Sequence, residues 1–144
     1  MSNTKEKKLP RGLRNNNPGN IRKSKTIYLG ELQPSQDESF KQFVSIDYGY
    51  RAMFVLIEHY YNKRGLKTLR QIISRYAPPI ENNTEGYIQQ VASICFRSAD
   101  DEIDITNKDE MILIVSAMSR VENGRVANVD DVIRGWNLYQ RCRP

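Results

Sequence analysis

Glu122 has the surroundings in this chain most suited to acid–base chemistry. It ends the most apolar stretch, Met111 to Val121, which the pattern predicts as a buried central helix closed by Gly124. The negative end of that helix's dipole and the apolar neighbours both disfavour a carboxylate. A raised pKa and partial protonation near neutrality follow, which is what a general acid cleaving a glycosidic bond needs. The plainer alternative is a side chain turned to water at a fraying helix end, or paired with Arg120 or Arg125.

A second concentration of functional groups lies at Arg11-Gly12-Leu13-Arg14-Asn15-Asn16-Asn17-Pro18-Gly19-Asn20-Ile21-Arg22. Asparagine, proline and glycine supply turn and left-handed backbone, and free carboxamides hydrogen-bond a neutral, hydroxyl-rich ligand such as a sugar. Asn15, Asn16, Asn17, Asn20 and Arg22 are therefore substrate-binding candidates, with a polar connecting loop as the alternative. Asn83 joins them from the Asn82-Asn83-Thr84 segment, whose side chains also suit a helix cap. His59, the sole histidine, sits beside Glu58 on a predicted helix, which leaves metal sites and histidine triads without partners. No glycine-rich phosphate loop occurs, and the expectation is no metal and no cofactor.

The elements that must hold these residues are mostly helical. Tyr50, Met53, Phe54, Ile57, Tyr60 and Tyr61 recur at helical spacing from Asp47 to Arg64, with Gly65 as a stop. Thr68 and Gln71 form a capping box before a short helix ended by Pro78-Pro79, and a further helix carries Tyr87, Ile88, Val91 and Cys95. Thr106 with Asp109 predicts the capped start of the apolar helix, and Asn128 with Asp131 that of a last one containing Trp136. Thr26–Leu29 and Phe40–Val44 are β-prone and predict a small N-terminal hairpin or sheet. The fold class is thus mainly α with a small β element.

With 144 residues and 39% hydrophobic content, the chain is expected to form one domain over residues 11–144, monomeric, after a flexible basic arm at 1–10. The net charge of +5 favours an anionic partner such as nucleic acid, a membrane surface or a bacterial wall. Arg70, Arg75, Arg134, Arg141 and Arg143, with Tyr76 and Trp136, are too dispersed for a nucleic-acid track and fit a solvated basic surface. Cys95 and Cys142 read as free thiols. No apolar run reaches membrane-spanning length or follows the basic N-terminal residues, so the expectation is cytoplasmic synthesis without a signal peptide.

Arg-Asn-Asn-Asn-Pro-Gly-Asn-Ile-Arg resembles the opening of phage and prophage proteins that attack the bacterial cell wall. In the lysozyme and lytic transglycosylase superfamily a hydrophobic helix ends at the catalytic glutamate, and Val115 to Gly124 is similar to that helix. The superfamily's Thr-x-x-Tyr-[Val/Ile]-x-x-Val helix sets its tyrosine beside that glutamate, and Thr84-Glu85-Gly86-Tyr87-Ile88-Gln89-Gln90-Val91 matches it. Tyr87 thereby becomes a second catalytic candidate, although a half-buried core tyrosine is the alternative on its residues alone. Asn17 to Arg22 and Phe40-x-x-Phe43-Val44-Ser45 also resemble part of cell-wall glucosaminidases. There the catalytic glutamate precedes the turn, so the likeness, over residues 11–135, implies a circularly permuted order.

The resemblance implies a lysozyme-like domain that cleaves the glycan strands of peptidoglycan, encoded by a phage or mobile element. Such a protein would act after release as an endolysin or as part of a virion. Glu31, Asp37, Glu38 and Glu81 are available as second carboxylates but read as solvated loop residues, which favours a single acid/base of lytic transglycosylase type. A muramidase or glucosaminidase is the close variant. The alternatives from other classes are a virion structural protein that binds peptidoglycan without cutting it, and a basic nucleic-acid-binding domain.

Overall fold

The computed structural model describes residues 9–80 and 82–144. Glu81 and most of the basic arm therefore lie outside the described residues. Among the described residues six helices follow one another: α1 (Arg11–Arg14), α2 (Ile46–Arg64), α3 (Leu69–Tyr76), α4 (Thr84–Ile94), α5 (Lys108–Asn123) and α6 (Val129–Arg141). The fold is mainly helical.

Local chemistry explains most boundaries. Thr68 and Gln71 make the reciprocal capping box of α3, and Asn83 caps α4 by accepting from Gly86 N. Asn128 accepts from both Asp130 N and Asp131 N to start α6. Gly65 and Gly124 end α2 and α5 in left-handed conformation, with φ of 66° and 69°. The start of α5 differs from expectation. Asn107, not Thr106, is its cap and accepts from Glu110 N, because the Thr106 hydroxyl is engaged with Asp104.

Among the described residues Phe40 and Phe43 of the second β-prone segment make isolated antiparallel bridges to Arg22 and Glu31, and Thr26–Leu29 takes part in none, in place of the expected hairpin or sheet. The backbone groups that would make a ladder are divided among several partners. Lys41 N donates to Ile21 O and Phe43 N to Asn15 O. Asn17 Nδ2 takes the Lys41 carbonyl at 2.9 Å and Asn16 Nδ2 the Phe43 carbonyl at 3.2 Å. Side-chain amides thus stand where a neighbouring strand would be. Beneath them Lys41 and Glu31, 1% and 2% exposed, form a buried ion pair at 3.1 Å. Lys41 Nζ also donates to Ser24 O and Thr26 O, which supplies the extra hydrogen bonds a buried ammonium needs.

The core lies between α2 and α6, the most extensively paired helices, with α3, α4 and α5 completing it. Phe54 meets Trp136 edge-on at 5.1 Å and stacks with Tyr139. Gly135 permits this approach: a Cβ there would lie 2.5 Å from the Cβ of Tyr50. Met111, Ile114, Val115 and Met118 of α5 are buried, so the most apolar stretch is central as its composition implied.

Candidate functional site

The last turn of α5 and the asparagine-rich opening meet face to face. Gly12 and Gly49 make the meeting possible, since a Cβ on Gly12 would approach Asn123 Oδ1 to 2.5 Å and one on Gly49 would strike Asn16 O. Asn123 is buried and donates to Pro18 O at 2.8 Å and to Ser119 O at 2.9 Å, tying the turn to the helix. One residue earlier, Glu122 Oε1 accepts from Asn20 Nδ2 at 3.0 Å. The partner of Glu122 is an asparagine amide rather than Arg120 or Arg125.

Two asparagines hold this turn in left-handed backbone, Asn16 at φ 52° and Asn20 at φ 48°. Short polar side chains tolerate that region better than other non-glycine residues. The proposed binding set then divides. Asn17 is fully buried and uses its whole carboxamide on Ile21 N, Ile21 O and Lys41 O. Asn15 is 7% exposed and bonds Asp37 and Gln42. Asn15, Asn16 and Asn17 are thus internal braces of the loop, and only Asn20 reaches a cleft. The amides were expected to face a ligand, but the carbonyls of the 40–44 segment needed donors first.

Glu122 stands between two concavities. One, of about 360 Å³, is lined by Asn20, Arg22, Lys23, Arg75 and four aromatic rings, Tyr28, Phe40, Tyr60 and Tyr76. The other, of about 210 Å³, lies over the first turns of α4 and includes Asn83, Gly86, Tyr87 and Gln90. Glu122 lines both. Arg22 and Asn83 are therefore brought to the same region as Glu122, on opposite sides, although Asn83 also caps α4.

Burial pushes the Glu122 carboxyl above its ordinary pKa of 4.5, against the opposing pull of Asn20, Tyr87 and the Arg22 charge. Tyr87 and Tyr76 flank it. Burial first, and the charge of Glu122 second, hold both phenols well above their ordinary value, so each keeps its proton. Tyr76 donates to Gly19 O. Tyr87 approaches Glu122 closely enough to influence its titration but outside hydrogen-bond geometry, so its buried hydroxyl is left without a partner among the described residues. The pair sets a carboxyl whose neutral form burial favours beside a phenol that keeps its proton.

Two of the loop carboxylates are not solvated as expected. Glu31 is in the buried pair with Lys41, and Asp37 is 9% exposed, gripped by Arg11 and Asn15. The Arg11 guanidinium, with further hydrogen bonds, holds Asp37 well below the usual carboxylate range. Glu38 is exposed. Asn123, Tyr76, Tyr60 and Arg75 were missed as site residues. For Asn123 a signal existed, a carboxamide directly after the acid at the end of an apolar helix. Nothing local marks Tyr76, because its hydroxyl's destination at Gly19 O lies 57 positions away in the chain.

No family model matches the chain. It is 33% identical over 145 residues to Protein P5 of Pseudoalteromonas phage PM2, an alignment covering 96% of this chain and 89% of that protein. Among the described residues no helix is long and apolar enough to cross a membrane. On the extent and level of that identity, the chain belongs to the family of this phage protein.

Proposed function

We propose that this phage-related protein cleaves the glycan strands of peptidoglycan by a lytic transglycosylase-type mechanism, with Glu122 as the single general acid and base. The observation that carries the reading is the half-buried Glu122 carboxyl, its neutral form favoured by burial, held by Asn20 at the junction of two concavities. Glu122 gives its proton to the glycosidic oxygen as the bond from that oxygen to the anomeric carbon breaks. The resulting carboxylate then accepts the proton of the muramoyl 6-hydroxyl as that oxygen bonds the anomeric carbon, which restores the acid and leaves an anhydro end.

Among the described residues lining both concavities Glu122 is the only carboxylate, which supports a mechanism needing one. Tyr87 would donate to a substrate or transition-state oxygen, and Asn83 and Arg22 would contact sugars on either side. The phage relative fits action on a wall after release or from within a virion.

Mass spectrometry of purified peptidoglycan digested by the wild type and by Glu122→Gln tests this. Anhydro-muramoyl products that vanish in the variant are expected. Reducing ends would shift the reading to a muramidase or glucosaminidase. No products from the folded wild type on several wall types would replace it with a virion protein that binds glycan without cutting it.

A further inference from the structure

A third groove, of about 580 Å³, runs between α5 and α6 and shares no lining residue with the two concavities beside Glu122. Leu113, Val126 and Val129 on its walls are 41%, 73% and 52% exposed, so a contiguous apolar surface there meets water instead of protein. On α5 the lining residues Asp109, Ile112, Leu113, Ser116, Ala117 and Arg120 recur at spacings of three and four, which puts them on one face of the helix. Asp109 near its start and Arg120 near its end are exposed, and neither is held in an ion pair among the described residues. The order along this stripe is its own complement when reversed. Laid antiparallel on a second α5, about an axis between positions 114 and 115, Asp109 meets Arg120, Ile112 meets Ala117 and Leu113 meets Ser116. Acid stands against base, and each large apolar side chain against a small residue. Lys108 falls opposite Val121 and keeps its ammonium in water at the rim.

We infer that two copies of this chain pair through this groove, α5 against α5 in antiparallel sense, with Leu113 of each seated over the partner's Ser116 and Asp109 facing the partner's Arg120 at both ends. A two-fold interface demands this reversible order, since residue i contacts j while j contacts i. A lipid surface would need the apolar face alone and gives the placing of the two charges no use. The antiparallel sense also sets the dipole of each helix against that of the other. At about 100° per residue Glu122 falls on the far side of α5 from the stripe, so pairing leaves the concavities of both copies open. A dimer thus takes the place of the monomer expected from the sequence.

Sedimentation equilibrium of the full chain, from about 1 μM to about 500 μM, tests the pairing. The mass is expected to rise from 16.7 kDa toward twice that value and stop there, because a two-fold contact closes on itself. Leu113→Lys should hold the protein at the monomer mass with its circular dichroism unchanged. Asp109→Arg and Arg120→Asp should each weaken association at least about tenfold, since each sets like charges against one another at both ends. Mixed in equal amounts, these two variants should associate with each other as tightly as the wild type, because their mixed pair alone restores acid against base at both ends. Recovery on mixing also shows that both variants are folded. A wild type monomeric throughout that range, an assembly growing beyond two copies, a dimer that survives Leu113→Lys, single charge swaps without effect, or a mixture no tighter than its components would overturn the inference. Flotation with phosphatidylcholine vesicles that Leu113→Lys abolishes, in a protein that stays monomeric, would overturn it in favour of a lipid occupant.

Discussion

The side-chain amide of Asn20, in left-handed backbone, donates to Glu122 Oε1 at 3.0 Å across 102 positions of sequence. This bond favours the charged carboxylate, while burial favours the protonated acid and wins. The acid is thus held in place by a residue that opposes its protonation, and a set of predictions follows from that balance and from the loop that supports it.

Removing the Asn20 donor should move the acid's titration upward. Asn20→Gly keeps the left-handed turn without strain, whereas Asn20→Ala retains the positive φ at a cost of about 1–2 kcal/mol. Activity on peptidoglycan is expected to fall as pH rises through the Glu122 pKa, and in Asn20→Gly that falling limb should lie at higher pH with a lower maximum. A pH–rate profile checks this. A limb that stays put or moves down would break the link between the two residues.

Glu122→Gln should lower the rate by at least about a hundredfold while stabilising the protein near neutrality. The native carboxyl keeps its proton above the ordinary value of 4.5, so between that value and the raised native one the folded state binds more protons than the unfolded. The contribution of Glu122 to stability therefore falls as pH rises through that window. Thermal melts should show the variant more stable than the wild type at pH 7, with the difference closing below about pH 4. A variant less stable at pH 7 would contradict the burial argument.

Asn17 makes the contrasting case. Its carboxamide is fully buried and satisfied by Ile21 and Lys41, so Asn17→Ala leaves the Ile21 N–H and the Lys41 carbonyl without partners, while the Ile21 carbonyl keeps only its bond from Lys41 N. A loss of about 2–4 kcal/mol in urea denaturation is expected. Substrate KM for the folded fraction should stay unchanged, since Asn17 reaches no cleft.

The buried Lys41–Glu31 pair should respond asymmetrically. Lys41→Met alone strands the Glu31 carboxylate and should cost about 3–5 kcal/mol, whereas Lys41→Met with Glu31→Leu should recover most of that loss. Equilibrium unfolding of both variants decides it; a double variant no better than the single would show that the ammonium's bonds to Ser24 and Thr26 carbonyls matter more than the ion pair.

The helices were legible in the sequence because their causes are local. The capping box at Thr68 and Gln71, the stops at Gly65 and Gly124, and the apolar run of Met111 to Val121 all act within a few residues. The same locality made Glu122 visible, since helix end and apolar neighbours are both adjacent to it in the chain. Only the tertiary structure decided what the asparagines do. Asn15, Asn16 and Asn17 have the same side chain as Asn20, yet they serve carbonyls and side chains of the 37–43 region while Asn20 faces Glu122. A carboxamide carries no mark of its partner. Which donor meets which acceptor depends on the segments that pack against it, and here those segments come from more than twenty positions away. The hairpin missing among the described residues has the same origin: asparagine amides take the Lys41 and Phe43 carbonyls, which leaves only Gln42 O and Val44 N to pair with the backbone of Leu32 and Gly30.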